Sequence, residues 1–323
     1  GASIAKNAKS LLKSADVVLK VRAPEKAELK LLPKSATVVS LFSPFTNPLL
    51  EAYATHGLTC FSLEMVPRIS RAQSMDVLSS QANIAGYKAV LMAAEHYRHF
   101  FPMMMTAAGT VQPARVLVMG AGVAGLQAIA TARRLGALVE AFDVRAAARE
   151  QVESLGAKFV EVPVEEDAED AGGYAKEASE EYKQKQAELI ALHAAKSDII
   201  ITTALIPGRP APVLVTEEVV KVMKPGSVIV DMAAEMGGNC PLTELDKTIE
   251  MHGVTLLGES NIPSLIAADA SQLYARNLFN FTALMSDGEG GLNTGLDDEI
   301  IEAAVLCRSG EFLKPQFLKG GAA

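Results

Sequence analysis

The sequence predicts an α/β protein of two αβ domains, the second a doubly wound parallel sheet of six strands. Three observations carry that prediction. Short β-branched runs alternate with helical stretches along most of the chain, the rhythm that feeds parallel sheets. The run VLVMGAGVAG sets Gly120, Gly122 and Gly125 directly after a buried-strand pattern and directly before the helix-like LQAIATARRLG. A length of 323 residues, 49% hydrophobic and 21% charged, is enough for two packed cores. Both domains are therefore expected to be Rossmann-like.

The first domain is expected to comprise residues 1–80 together with 270–323, and the second residues 81–269. In the first, strands are expected at Val17 to Val21, Thr37 to Phe42 and Leu58 to Leu63. A polar segment, Pro67 to Ser74, precedes a long helix from Asp76 to about Phe101, with Asp76 as its cap. Six strands then follow: Arg115 to Gly120, Leu138 to Phe142, Lys158 to Val162, Asp198 to Thr203, Ser227 to Asp231 and Val254 to Gly258. The charged stretch Glu161 to Glu181 reads as a long loop, a candidate lid, leading into a helix from Ala175 to Ala195. A helix from near Pro263 to Leu284 returns the chain to the first domain. The tail is strand-like around Ile300 to Leu306 and at Phe312, a hairpin that would pack on a neighbour.

Composition excludes several classes. A formal net charge of -8 argues against a nucleic-acid partner, because such affinity comes from neutralising phosphates with Lys and Arg. Cys60, Cys240 and Cys307 are scattered without CxxC spacing, so neither a disulfide framework nor a zinc site is expected, and a reducing compartment fits. The most apolar stretch, Ile199 to Val215, is broken by Thr202, Thr203, Pro207, Gly208 and Arg209. It falls short of the roughly 18 apolar residues of a spanning helix.

The glycines have a chemical reading. In the GxGxxG spacing the first allows a tight turn, the second lets the backbone approach a pyrophosphate, and the third permits close helix-to-strand contact. The helix amino end then faces the anion. Asp143 follows Gly125 by 18 residues at the end of the next strand, where a carboxylate accepts the adenosine ribose 2′-hydroxyl and repels a 2′-phosphate. NAD is thereby favoured over NADP, although Arg145, two residues on, is of the type that serves a 2′-phosphate. The bland alternative is a glycine turn with an acid at the start of the helix Ala146 to Leu155. The candidate cofactor residues are Gly120, Ala121, Gly122, Val123, Gly125, Asp143, Val144 and Arg145.

PRISRAQSMDVLSS gathers Arg68, Arg71, Gln73, Asp76 and Ser79 in one loop and the first helical turn after it. On its own this segment reads equally as solvated arginines beside a helix cap.

Longer stretches carry a resemblance. MVPRISRAQSMDVLSSQANIAGYKAV, TAAGTVQPARVLVMGAGVAGLQAIATARRLGA, DVRAAAREQVESLGAKF, GGYAKE, TTALIPGRPAPVL and GSVIVDMAAEMGGNCPL are similar to the NAD(H)-binding component, domain I or alpha subunit, of the proton-translocating NAD(P) transhydrogenases. The likeness runs from Gly1 to about Asn280. It implies that Arg68, Gln73, Asp76 and Ser79 contact the nicotinamide, its ribose and the pyrophosphate, with Tyr87 on the helix behind them. It implies a mobile loop at Gly173 and Tyr174, and a strand end beside the nicotinamide ribose at Thr203, Ala204 and Leu205. It further implies NADP(H) on a partner component, membrane-spanning components that move the proton, a homodimer, and a peripheral place on the inner face of a membrane, the matrix side if mitochondrial. The family begins with a further strand and helix, whereas GASI resembles text well inside it. An unpaired edge and exposed apolar surface are therefore expected on the first domain.

Hydride transfer between nicotinamides needs no protein nucleophile or general acid, since the cofactors carry the chemistry. The five histidines, His56, His96, His99, His193 and His252, show no motif and receive no role. The rival class is an alanine dehydrogenase-like amino-acid dehydrogenase, which resembles this family in the order of its segments. Such enzymes carry a substrate-binding Lys in a KVKEP-like motif and a His after the next strand. This sequence has KVRAP, with Arg22 at the Lys position, and Ser43 about where the His would be. Arg does not titrate near neutrality, so the departure favours the transhydrogenase. A third class, an NAD-binding regulatory protein without turnover, stays open on sequence.

Overall fold

The structure is a computed structural model that describes residues 1–161, 180–206 and 208–318. Two compact units emerge, Gly1–Gln81 with Ala268–Ala323 and Ala82–Ala267.

The first unit is built on a five-stranded sheet in the order Val17–Arg22, Thr37–Leu41, Thr59–Ser62, Val305–Arg308, Glu311–Phe312. Its first three strands are parallel, and Val305–Arg308 runs antiparallel to Thr59–Ser62 with Cys307 opposite Cys60. Alternation along Thr37–Leu41 sends Val38 into a core with Phe42, Tyr53, Leu58 and Leu306, and Val39 into another with Phe61, Phe281, Ile300 and Val305. Val17–Arg22 is the outer strand among the described residues, and its Val17, Leu19 and Val21 are exposed.

The tail departs from expectation. Ile300 to Ala304 is helical, in Glu299–Ala304, because the Asp298 carboxylate caps the helix by accepting from the Ile300 N–H at 2.8 Å, while Ile300, Ile301 and Ala304 face the core. The hairpin that follows, Val305–Arg308 with Glu311–Phe312, lies in the chain's own sheet. Val305, Leu306 and Cys307 are all buried, so pairing with Thr59–Ser62 covers apolar side chains and satisfies the main chain together.

The second unit holds a seven-stranded sheet in the order Thr248–Met251, Val254–Leu257, Val228–Asp231, Ile199–Thr202, Arg115–Met119, Leu138–Phe142, Lys158–Val160. Six of these strands are the parallel, doubly wound set that was expected. The seventh, Thr248–Met251, is an antiparallel edge strand. It was missed because its signal is a turn rather than a hydrophobic run. His252 and Gly253 both have left-handed φ, 54° and 77°, the two-residue hairpin geometry that matches strand twist. The Ile, Val and Leu side chains of the central strands are buried on both faces, as a sheet covered by helices requires.

The long helix is Val77–His96, shorter than expected. Beyond it the rings of Tyr97 and Phe101 pack edge to face, and a short hairpin of Met104–Thr106 and Gly109–Val111 follows. The later helices include Val123–Arg134, Ala148–Ser154, Glu180–Ala194, Glu217–Val222 and Ala267–Leu284, the last entered through a 3-10 turn at Ile262–Ile266. Among the described residues no helix is long and apolar enough to cross a membrane.

Candidate functional site

In the second unit the order of the sheet reverses between Arg115–Met119 and Ile199–Thr202, and the crevice outside the carboxyl ends of these neighbours is where a doubly wound sheet takes its ligand. Gly120 turns the chain out of the first of them with φ 104°; a Cβ there would lie 2.5 Å from Thr203 Oγ1. The Thr203 hydroxyl donates to the Gly120 carbonyl at 3.0 Å and so ties the turn to the end of the adjacent strand. Gly125 lets the helix Val123–Arg134 sit against the turn, since a Cβ there would fall 1.8 Å from the Gly120 oxygen. Gly122 differs: a Cβ on it would meet nothing within 4 Å, so its face of the turn is open. The N-cap is Gly122, which has no side chain to cap the helix, so the first N–H groups and the positive end of the dipole lie on the open side of the turn. This cradle fits a pyrophosphate.

Asp143 stands at the end of the next strand with its side chain 7% exposed. One carboxylate oxygen accepts from the Ala121 N–H at 2.7 Å, which locks the acid to the phosphate turn. Arg145 grips both oxygens, through Nε at 3.0 Å and a terminal nitrogen at 3.0 Å, and its main-chain N–H adds a bond of 2.8 Å. Burial pushes the Asp143 pKa up, but the Arg145 side chain and the two main-chain donors outweigh it and hold the acid below the usual carboxylate range. Arg145 is thus engaged with the acid, its side chain 58% exposed.

A folded-state pKa that is depressed stabilises above the unfolded value and loses that contribution as pH falls through the folded value. The stability difference between the wild type and Asp143→Asn is therefore expected to be full at neutral pH and to shrink below about pH 3.9, the ordinary Asp value. Urea midpoints of both proteins between pH 7 and pH 3 check this. A difference that stays constant across the range contradicts it.

Beside the turn, Asp231 ends the strand Val228–Asp231 fully buried, and its carboxylate takes four donors. These are the Thr202 hydroxyl at 3.0 Å and the N–H groups of Ala233, Asn239 and Cys240 at 3.1, 3.1 and 3.0 Å. Asn239, also buried, donates to the carbonyls of Ala204 and Pro212 at 2.9 and 2.8 Å and accepts from the Ala204 N–H at 3.2 Å. Sequence reasoning passed over both residues. The available signal was an acid at the carboxyl end of a fully apolar strand, GSVIVD, followed by the close-turn residues GGN.

In the first unit, the segment before the long helix is a 3-10 turn, Ser70–Met75, anchored through buried Ala72 and Met75. Asn277 and Asn280 both donate to the Ser74 carbonyl, at 2.8 and 3.1 Å. That anchorage leaves Arg68 and Gln73 exposed. Asp76 caps the helix as expected, accepting from the Ser79 N–H at 2.9 Å and its hydroxyl at 2.6 Å. Arg71 is bound otherwise, in a bidentate ion pair with Asp298. At the strand end nearby in the same sheet, Glu64 accepts from the Phe42 and Ser43 N–H groups at 2.7 and 2.8 Å and fixes the turn in which Ser43 has φ 49°. Arg22 and Ser43 both lie at carboxyl ends of neighbouring strands.

Two models divide the chain between them: the alanine dehydrogenase/PNT N-terminal domain matches residues 1–85 and the corresponding C-terminal domain residues 89–315. The chain belongs to the alanine dehydrogenase/PNT family. Within it, the chain is 54% identical over 331 aligned positions to a Rhodospirillum rubrum protein named as the first portion of an NAD(P) transhydrogenase subunit alpha, covering 100% of this chain and 86% of that one. A solved transhydrogenase structure from Sinorhizobium meliloti superposes with a TM-score of 0.84 at 52% identity, over 94% of this chain and 83% of that one. An L-alanine dehydrogenase structure follows at 0.79 and 25% identity, over 98% and 83%. The family fold is thus shared by both branches, while sequence identity is far higher to the transhydrogenases.

Among the residues singled out from sequence, Gly120, Ala121, Gly122, Val123, Gly125, Asp143, Val144 and Arg145 gather around one turn with Thr203 and Ala204 against it, and Leu205 continues exposed from that strand end. Arg68, Gln73, Asp76 and Ser79 share one loop and helix start in the first unit. Tyr87 is exposed on the long helix. Gly173 and Tyr174 lie outside the described residues. The five histidines have structural partners: His193 bonds Glu140 at 2.6 Å, His252 bonds Glu217 at 3.0 Å, His56 and His96 meet main-chain carbonyls, and the His99 ring packs against Tyr97 at 5.2 Å.

Proposed function

We propose that this chain is the NAD(H)-binding component of a proton-translocating NAD(P) transhydrogenase. Hydride passes directly between NAD(H) held here and NADP(H) held by a partner component, and a membrane-spanning component couples the transfer to proton movement. The observation that carries the reading is the phosphate turn closed by Asp143, in a chain 54% identical to a transhydrogenase alpha subunit. Residues 81–269 form the NAD(H)-binding domain, and residues 1–80 with 270–323 form the other. The complex sits on the inner face of a membrane, and the component works as a homodimer.

Bound nicotinamide supplies the hydride chemistry itself. The chain's residues bind, orient and exclude water. The N–H groups at the start of Val123–Arg134 take the pyrophosphate. Asp143 takes the adenosine ribose, and Thr203 to Leu205 line the nicotinamide ribose. Arg68, Gln73, Asp76 and Ser79 orient the ring and its ribose. Pre-paid orientation of this kind is worth several kcal/mol of barrier, about 7–11 in well-aligned model reactions, which suits a site with no general acid.

The test is hydride transfer from NADPH to an oxidised NAD analogue, with this chain mixed with an NADP(H)-binding component, beside a pyruvate-plus-ammonium assay of the chain alone. Transfer that requires both proteins is expected. Pyruvate-dependent NADH oxidation without the partner would move the assignment to the alanine dehydrogenase branch. In the same assay Gln73→Asn and Asp76→Asn are expected to slow transfer about tenfold or more while NADH affinity changes little. Equal losses of affinity in both variants with transfer unchanged would remove the orienting role.

A further inference from the structure

The strand Ile199–Thr202 pairs with Val228–Asp231 up to Thr202 opposite Asp231, after which the partner strand turns away. The next rung, at Ala204, is made by a side chain. Asn239 offers its carboxamide as a peptide group would, accepting from the Ala204 N–H at 3.2 Å and donating to the Ala204 carbonyl at 2.9 Å. Few other side chains carry donor and acceptor side by side in this form. Asn239 is itself held: its main-chain N–H reaches Asp231 at 3.1 Å, and its second donor hydrogen goes to the Pro212 carbonyl at 2.8 Å. The Asp231 carboxylate, wrapped by Gly238 and bonded to Thr202, ties this clamp to the strand it extends.

The clamp has a consequence on the other side of the chain. Thr203 faces the phosphate turn, its N–H on the Met119 carbonyl and its hydroxyl on Gly120. The Thr203 carbonyl and the Leu205 N–H have no hydrogen-bond partner among the described residues. Segment 203–205 is thus stretched past the sheet edge with one acceptor and one donor spare, at the crevice where a doubly wound sheet binds.

We propose that Asn239, anchored by Asp231, is a positioning residue that holds main chain 203–205 as the wall against which the nicotinamide half of NAD(H) is fixed. The inference rests on the NAD(H) reading and deepens it. The nicotinamide half carries hydroxyl and carboxamide groups that match a main-chain donor and acceptor. The adenosine half is served by Asp143 and the phosphate turn and does not depend on the clamp.

Comparing NADH with ADP, which lacks both the nicotinamide and its ribose, tests it. Asn239→Ala is expected to weaken NADH binding about tenfold or more, the scale of one or two buried hydrogen bonds, and to change ADP binding less than about twofold. Asn239→Asp keeps the acceptor for Ala204 but sets a carboxylate against two carbonyls, and an equal or larger selective loss is expected. Hydrogen exchange on the unaltered chain gives a reading that needs no variant. The Ala204 amide is expected to be protected in the free protein, and the Leu205 amide to become protected with NADH and not with ADP. Equal losses for both ligands in the variants, or a Leu205 amide that responds alike to both, would overturn the positioning role and leave NAD(H) binding standing. An unaltered chain that bound neither ligand would overturn the NAD(H) reading itself.

Discussion

Gly125→Ala is expected to abolish NADH binding, with an affinity loss of about 100-fold or more. An added Cβ would stand 1.8 Å from the Gly120 oxygen, a main-chain atom that cannot rotate aside, so the turn must open by more than 1 Å or the helix must back away. Forced overpacking of this kind costs about 1–3 kcal/mol, and here it falls on the groups that cradle the anion. At 1.4 kcal/mol per factor of ten, the upper part of that range gives the loss stated. Gly122→Ala is the informative companion. Its Cβ meets nothing within 4 Å, so the thermal midpoint should stay close to wild type while the methyl occupies the approach of the pyrophosphate and NADH affinity falls. Isothermal titration beside thermal unfolding separates the two. Retained affinity in both variants would mean that the phosphate is bound elsewhere.

Asp143→Ala is expected to weaken NADH binding by about 10- to 100-fold, the scale of losing a charged hydrogen-bond partner worth about 1.5–3 kcal/mol. The same change reverses the preference between NADH and NADPH for a specific reason. Arg145 is at present gripped by both Asp143 oxygens, and removal of the acid frees a guanidinium beside the place where a 2′-phosphate would lie. NADPH affinity should therefore hold or rise as NADH affinity falls. Asp143→Ala/Arg145→Ala should lose the NADPH gain and retain the NADH defect. Equal falls for both nucleotides in the single variant would show that Asp143 acts only by holding Ala121 and the turn.

The six parallel strands of the second unit could be read to within one or two residues at their ends because buried parallel strands have a distinct vocabulary. VLVM, IIIT and VIVD contain little but β-branched and aliphatic residues, and the glycine turn follows one of them in the GxGxxG spacing. The edge strand Thr248–Met251 escaped, since it is half polar and its identity comes from the two-residue turn after it. Ile300 to Ala304 misled in the other direction. A short apolar run reads as strand until a cap such as Asp298 turns it into a helix. Asp76 was readable as a cap because a short acceptor side chain stands directly before the helical run that begins at Val77.

What the sequence by itself determined was chemistry that is local in the chain: the turn Gly120 to Gly125, the acid Asp143 one strand later, the Arg68 to Ser79 loop, and the identities of Arg22 and Ser43. Only the tertiary structure decided how distant segments complete these features. Asp298 takes Arg71 out of the candidate loop across 227 positions, Asn277 anchors Ser74 across 203, and Asn239 supplies the rung for Ala204 across 35. The physical reason is that a hydrogen bond between distant residues needs two surfaces brought to within about 3 Å by packing. Such a meeting depends on the whole core and leaves no periodicity or spacing in the chain to read.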